Sequence, residues 1–311
     1  LPAGRYDVLL PSELGFGLPK ENLNSDVHIG YDAMVRWTDN INDFNYSVAG
    51  NVTYSRFYDW EQYDDRRSNS WDRYRNSIWH RVGYINWGHE VVGRFKDWEE
   101  IANYPIDNDR KGNTTMVPGD FKYKDVNGDG VINGMDERPI GYRSDSTPNL
   151  NYGINVAASW KGFDFAMDWT GSGLSSWAQR YETARPFQND GNSPVEVFKD
   201  AWHLADIWDA DSELIPGKYP LVRLGDNDSN YWTSDFWLHN VRYIKLRNLE
   251  LGYTLPKVIT TKAGISSMRV YLSGTNLLTF SNVPVDPEGI SDNGLDYPTM
   301  RVINIGVNLK F

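Results

Sequence analysis

The last twelve residues, Met300 to Phe311, carry a two-residue alternation to the end: Arg301 starts one side, which then reads Ile303, Ile305, Val307, Leu309 and Phe311, and Asn304, Gly306, Asn308 and Lys310 lie on the other. A period of two is the geometry of a β-strand with one dry face, and a helix cannot collect those residues on a single surface. The pattern returns upstream. Leu150, Tyr152, Ile154, Val156, Ala158 and Trp160 oppose Asn151, Gly153, Asn155, Ala157 and Ser159; after Lys161 and Gly162 the alternation restarts as Phe163, Phe165, Met167 and Trp169 against Asp164, Ala166, Asp168 and Thr170. Two such runs joined by Lys-Gly predict a two-residue hairpin. Nearer the start, Ile29, Tyr31, Ala33, Val35 and Trp37 are followed, past a turn at Asp39 to Asp43, by Phe44, Tyr46, Val48, Val52 and Tyr54, and later Met268, Val270, Leu272 and Leu278 form a further dry face. Val241 to Leu255 changes phase, with Ile244 and Leu246 on even positions but Leu249, Leu251, Tyr253 and Leu255 on odd ones, so a bulge near Arg247 and Asn248 is expected.

These seven segments have the roughly ten residues that a tilted strand needs to cross a bilayer. Their connections alternate in length. Thr38 to Asp43, Lys161 to Gly162 and Pro256 to Ser266 are short, whereas 57–149, 172–240 and 281–299 are long. Tight turns on one side and long loops on the other are the plan of a transmembrane β-barrel, and a soluble sandwich seldom carries structureless loops of such length. The fold class expected is therefore all-β, a transmembrane antiparallel β-barrel segment. The ending in Phe resembles the C-terminal signal of bacterial outer-membrane barrels, with Ile305, Val307, Leu309 and Phe311 as the membrane-insertion signal; Phe311 then marks the periplasmic end, and every long loop lies outside. Seven strands are odd in number and fewer than the about eight of the smallest barrels. Residues 1–311 are accordingly read as part of one larger barrel domain.

Composition agrees. The chain has 13 Trp, 19 Tyr and 12 Phe, which suits the aromatic girdles of a barrel, and Trp37, Trp160 and Trp169 on dry faces are read as girdle residues. Mean hydropathy is -0.58, and no apolar run approaches the roughly 18 to 20 residues of a spanning helix. A net charge of -11 argues against a nucleic-acid partner, and zero cysteines exclude a disulfide framework and thiol chemistry. The opening LPAGRYDVLLPSELG lacks the pattern of a signal peptide, so the chain reads as a mature product or as starting inside a longer one.

From Pro118 onward the chain resembles the SusC/RagA family of TonB-dependent outer-membrane transporters of Bacteroidota. The segments that carry the resemblance are PGDFKYKDVNGDGVING (118–134), LNYGINVAASWKGFDFAMDW (150–169), FWLHNVRYIKLRNLELGYTLP (236–256), SSMRVYLSGTNLLTF (266–280), VDPEG (285–289) and YPTMRVINIGVNLKF (297–311). Upstream, LGFGLPKENLNSDVHIGYD fits more loosely. The resemblance implies the C-terminal third of a barrel of about 22 strands, import of glycans or oligopeptides, a SusD-like surface lipoprotein as lid, and energy drawn from the TonB complex. The plug and TonB box of the family match nothing in this sequence, and no residue is assigned to substrate binding.

One loop carries ligand chemistry. Asp125, Asn127, Asp129, Asn133 and Asp136 fall at positions 1, 3, 5, 9 and 12 of a calcium loop, with Gly130 at the sharp turn and the Val131 carbonyl at position 7. A structural Ca²⁺ is expected there, although the flanks do not read as EF-hand helices and Asp136 replaces the usual longer Glu. A turn cluster without metal is the plainer alternative. Trp71, Trp79, Trp87, Trp98, Trp177, Trp202, Trp208, Trp232 and Trp237 sit in the long connections; stacking on sugar rings is the sharp reading, and loop cores or girdles the favoured one. Catalysis finds no support. His28, His80, His89, His203 and His239 show no ligand spacing, and the acidic pairs Asp64 with Asp65 and Glu99 with Glu100 read as solvated charges, whereas Asp164 and Asp168 read as lumen-lining. Two rival readings are a passive porin or surface receptor barrel and a secreted β-rich glycan-binding module that dissolves without detergent.

Overall fold

The structure, a computed structural model, describes residues 2, 3, 13, 15, 21, 22, 24–61, 67–143, 147–224, 228–289 and 293–311. Most of the stretch from Leu14 to Leu23 and the pair Asp64 and Asp65 lie outside the described residues.

Seven long strands form one antiparallel sheet: β1 Ser25–Ile41, β2 Phe44–Glu61, β3 Leu150–Trp160, β4 Phe163–Ala178, β5 Leu238–Thr254, β6 Ser267–Ser281 and β7 Val302–Lys310. Their spatial order is their chain order, an up-and-down meander whose two edges, β1 and β7, do not pair with each other. The β3–β4 turn is Lys161 (φ 47°) and Gly162 (φ 91°), both left-handed, the conformation that fits the twist of a tight hairpin. The β1–β2 turn is tighter than the expected Asp39 to Asp43. Ladder pairing runs to Ile41 with Phe44, leaving two residues, of which Asn42 takes φ 54°.

Pairing register decides what the alternation means, because a slip of one residue would turn a whole strand over. Phe44, Trp160, Phe163, Tyr253, Val270 and Val307 stand opposite one another in successive strands. So do Gly50, Ile154, Trp169, Leu246 and Leu278. Every dry face therefore falls on the same side of the sheet. In β5 the register skips between Leu246 and Asn248, so Arg247 is the extra residue that returns Ile244 and Leu246 to the side of Leu249 and Leu251.

Among the described residues, most of that dry side is left uncovered. Ile305 is 80% exposed, and Val35, Trp37, Trp160, Leu251 and Leu272 are exposed as well. Aromatic rings border it. Phe163 packs on Tyr253 with centroids 4.4 Å apart near the short turns, and Tyr31 stacks on Tyr54 at 5.4 Å toward the other end. From Phe44 to Tyr54 is ten residues, about 33 Å along a strand and about 23 Å along the normal at a tilt of about 45°, close to the height of a membrane barrel's apolar band.

Beyond the band the alternation stops because both faces become covered. In β4, residues Gly171 to Ala178 are buried except Leu174, and the partner residues Leu238 and Val241 of β5 are buried too. The connections 62–149 and 179–237 close over these strand ends as one folded body. Phe121, Tyr123 and Ile132 of the first share a core with Ala184, Val197, Ala201, Tyr219 and Trp237, all of the second. The turn from Pro256 to Ser266 contains a helical turn, Lys257–Thr260, on the opposite end of the sheet.

Candidate functional site

The polar side of the sheet and the loop body above it are the surfaces with chemistry. On the wall, Arg269 of β6 reaches Asp164 of β4 and Glu250 of β5, cross-strand neighbours on the polar face. Further up, Asp168 accepts from Asn155 Nδ2 at 2.8 Å and from Asn248 Nδ2 at 3.3 Å. Asp164 and Asp168 thus lie on the polar face, as read from the alternation, and both are engaged by neighbours. A charge on a polar wall is retained when partners on adjacent strands satisfy it.

At the level of the bulge the wall is roofed by the last connection. Lys245, only 2% exposed, donates from Nζ to Glu288 Oε2 at 2.8 Å and to Asp286 Oδ1 at 3.4 Å, while Arg247 reaches the other oxygen of Glu288. Tyr243 Oη donates to Glu288 Oε1 at 3.3 Å. Burial alone would raise the Asp286 carboxyl, but the Thr299 hydroxyl, the Glu288 and Thr299 amides and Lys245 outweigh it and hold the group at about 2. Asp286 and Glu288 belong to VDPEG, and their anchoring of a buried lysine was not readable from the sequence.

The two long connections are locked by buried polar contacts. Asp120, fully buried, accepts from Asn230 Nδ2 at 2.7 Å and from Arg223 at 2.8 Å, and Asn230 Oδ1 in turn accepts the Phe121 amide at 2.9 Å. Burial pushes the Asp120 carboxyl up against the pull of Arg223. Tyr123 Oη donates to the Ser229 carbonyl at 2.6 Å, and burial raises its phenol strongly. Arg94 lies 4.5 Å from the Phe121 ring centroid and donates to Gly119 O at 2.8 Å; burial holds its guanidinium down to about 10.

The calcium-type loop is a chain of turns. Asp125 accepts the amides of Gly128 (2.7 Å) and Gly130 (2.8 Å), Asn127 that of Asp129, Asp129 that of Val131, and Asn133 that of Met135. Asp136 is turned inward, 1% exposed, and its oxygens accept from Val126 and Asn133 as an N-terminal cap. Gly128 (φ 77°) and Gly130 (φ 82°) supply the left-handed turns. A bridge between Asp107 and Val131 clips the loop to the body. Among the described residues, no three acidic or histidine side chains converge as a metal site.

The loop tryptophans divide. Trp177 and Trp237 are buried core, and Trp237 Nε1 donates to Asn230 O at 2.7 Å. Trp71 and Trp87 meet edge to face beside Arg138 and Arg75. Trp79, Trp98 and Trp208 are exposed, Trp208 to 90%. His89 is buried among Tyr123 and Trp232, which lowers its pKa, and His203 and His239 bond separate partners. Glu100 bonds Lys122 at 2.6 Å and the Lys96 amide, a structural use.

A single sheet with one exposed dry side and one polar side whose acids are engaged by neighbouring strands, capped at one end by folded loops, is part of the wall of a transmembrane β-barrel. No helix among the described residues is long and apolar enough to cross a membrane. No family model matches the chain. Among curated proteins of Formosa agariphila, the chain is similar to TonB-dependent receptor P3 (29% identity over 71% of this chain and 22% of that protein) and TonB-dependent receptor P39 (23% over 98% and 32%). Among solved structures it is similar to the RagAB peptide transporter, with a TM-score of 0.63 at 20% identity, and to the RagAB peptide importer in its closed-closed state, at 0.62 and 22%; 98% of the chain is covered in both, against 31% and 32% of those chains. The chain therefore spans between about a fifth and a third of the relatives it matches. In sequence the chain is similar to part of TonB-dependent receptors, and in fold to part of the barrel of the RagAB transporter.

Proposed function

We propose that this chain forms wall and external loops of an outer-membrane barrel that imports glycans or oligopeptides with TonB-supplied energy, under a SusD-like lipoprotein lid. The observation that carries the reading is the register: seven dry faces coincide on one side, Arg269 pairs across strands with Asp164 and Glu250 on the other, and a joint loop body caps one end. The relatives are receptors and transporters, which supports transport over catalysis, and RagAB, a peptide transporter, favours peptides among the two cargo classes. The test is uptake by the cell that makes the protein. Labelled oligopeptide or glycan should enter in a TonB-dependent manner and stop entering when this gene is removed; uptake unchanged by loss of TonB refutes active import.

We further propose that a structural Ca²⁺ is held at the outer surface by Asp125, Asn127, Asp129, Asn133 and the Val131 carbonyl, with Asp136 fixing the turn. Hard oxygen donors in this number suit Ca²⁺. Calorimetry with added Ca²⁺ should give binding heat that Asp129→Ala removes, and an absence of heat in the unaltered protein ends the proposal.

A further inference from the structure

Past the end of β4 the chain winds through a strained segment. Tyr181 (φ 47°), Phe187 (φ 62°), Asn189 (φ 51°) and Asp190 (φ 58°) are left-handed without being glycine, a cost that concentrates at ligand clamps and other functional sites. The segment walls a cleft of about 350 Å³ together with Tyr231 and Trp237, and this cleft adjoins one of about 230 Å³ lined by Arg223. Arg185, Gln188 and Tyr231 line both. The larger is within the size range of sites that hold small ligands.

The ladder fixes where the cleft stands. Gln179 lines it, and its Oε1 lies 2.9 Å from Nε2 of His239. His239 pairs with Trp177 and alternates with Val241, Tyr243 and Lys245, so the cleft begins on the polar side of the sheet. The last connection, fastened to that same side at Lys245, returns to meet the segment. Gly294 lies so close to Thr183 that a Cβ there would be 2.5 Å from Thr183 Cγ2.

Its lining selects an anion. Arg180, Arg185 and Arg223 all border it, in a chain of net charge -11. The Arg185 guanidinium lies 4.8 Å from the Tyr231 ring centroid. Arg223 donates from Nη2 to Asp120 and to the Thr115 carbonyl, while its Nη1 is buried with no hydrogen-bond partner among the described residues. A buried donor is costly to leave unpaired, and a carboxylate is the group that guanidinium forks match in shape and charge. The Gln188 amide carries a donor and an acceptor, as a peptide group does, and the Tyr231 and Trp237 rings offer surface to a side chain.

We propose that this cleft binds the terminal carboxylate of an oligopeptide cargo, with the carboxylate on Arg185 and Arg223 and the preceding peptide group on Gln188. The proposal rests on the polar side being the lumen of an importer. It is tested on the intact outer-membrane protein that carries this chain, purified in mild detergent and incubated with a random oligopeptide pool, half free acids and half C-terminal amides. Retained peptides are counted by mass spectrometry. Free acids should exceed amides about tenfold; Arg185→Gln should abolish that preference, and Gln188→Trp, which fills the cleft and keeps the cations, should lower retention of the free acids. Equal retention of acids and amides by the unaltered protein overturns the proposal, as does an undiminished preference in Arg185→Gln. Displacement of the retained acids by an equal concentration of oligogalacturonate also overturns it, because the site is then one for acidic glycans. If Arg185→Gln does not fold, Gln188→Trp decides, and undiminished retention by it is fatal. Uptake by cells separates the two levels: TonB-dependent entry of the pool without any acid preference in binding defeats only this site, whereas no TonB-dependent entry of peptides or glycans defeats the import reading itself.

Discussion

Ile305→Lys is the perturbation that most directly weighs the lipid-facing stripe. Ile305 is 80% exposed on the dry side, opposite Leu272 in β6, and stands six residues before Phe311. At a rise of about 3.3 Å and a tilt of about 45°, six residues climb about 14 Å from the terminal aromatic, close to the middle of a band about 25 Å tall. A lysine at that depth on a lipid face costs about 2 to 4 kcal/mol, roughly 30- to 700-fold in the folding equilibrium. Asn304→Lys is the matched control, since Asn304 pairs with Ser273 at nearly the same depth on the polar side, and its expected cost is within about 0.5 kcal/mol. Val307→Lys, about 5 Å nearer the interface, should fall between them. The assay is denaturant-dependent folding of the intact protein into phospholipid vesicles, followed by tryptophan fluorescence. On a water-exposed sheet neither lysine would be penalised, so equal tolerance of Ile305→Lys and Asn304→Lys refutes the assignment of the faces.

Three further outcomes are expected. Lys245→Met leaves Asp286 and Glu288 without their buried cation, a loss of about 3 kcal/mol in the fastening of residues 282–301, and limited proteolysis on whole cells should cut that segment faster while leaving the rest intact; an unchanged cleavage rate contradicts the anchoring role. Asp120→Ala strips Arg223 and Asn230 of a shared buried acceptor at a cost of about 3 kcal/mol, so the loop body should melt before the sheet in a tryptophan-monitored thermal scan, and a single unshifted transition argues against it. Asp109 and Asp286 both titrate at about 2 against an ordinary 3.8; Asp109 does so because the Thr115, Lys111 and Asn113 amides and the Thr115 hydroxyl override its burial. Depressed carboxyls stabilise above their unfolded pKa, so this contribution is whole above about pH 4 and fades toward pH 2. Near-UV circular dichroism should show the loops loosening in that window, and loosening complete by pH 5 would assign it to other groups.

The membrane-embedded part of this chain was legible because lipid imposes its pattern residue by residue. Leu150–Trp160 has the bounds that its alternation implied, Lys161 and Gly162 make the turn, and the phase change in Val241 to Leu255 is the bulge at Arg247. The strands run past their alternating parts for a physical reason: Gly171 to Ala178 lies between two covered faces, so nothing there selects a period of two. Contacts across long sequence separations had no local signature. Asp120 and Asn230 sit 110 residues apart, and only their burial together shows why each is polar. A weak signal existed at Lys245, a cation between Ile244 and Leu246 in a chain rich in acids, but it did not point to Asp286 or Glu288. Among the tryptophans, assignment to loop cores fits Trp237; Trp177, placed in a long connection by the sequence, is instead buried on strand β4, and Trp79, Trp98 and Trp208 remain exposed and available for contact.

The way the loops are joined bears on how the outer rim can move. Separating the first long connection from the second would open the shared core of Phe121, Tyr123, Tyr219 and Trp237 and strand Asp120 from Arg223 and Asn230, an apolar and a charged penalty together. These two connections therefore respond to a load as one body. Residues 282–301 are tied differently, to the wall, through Lys245 and Arg247 beside the bulge in β5. A bulge is where a strand twists most readily, and here it carries the charges that hold the third loop. Motion of this third loop relative to the wall is consequently opposed by the ion pairs of Lys245 and Arg247 with Asp286 and Glu288, and Arg247 is the partner whose backbone stands outside the regular pairing.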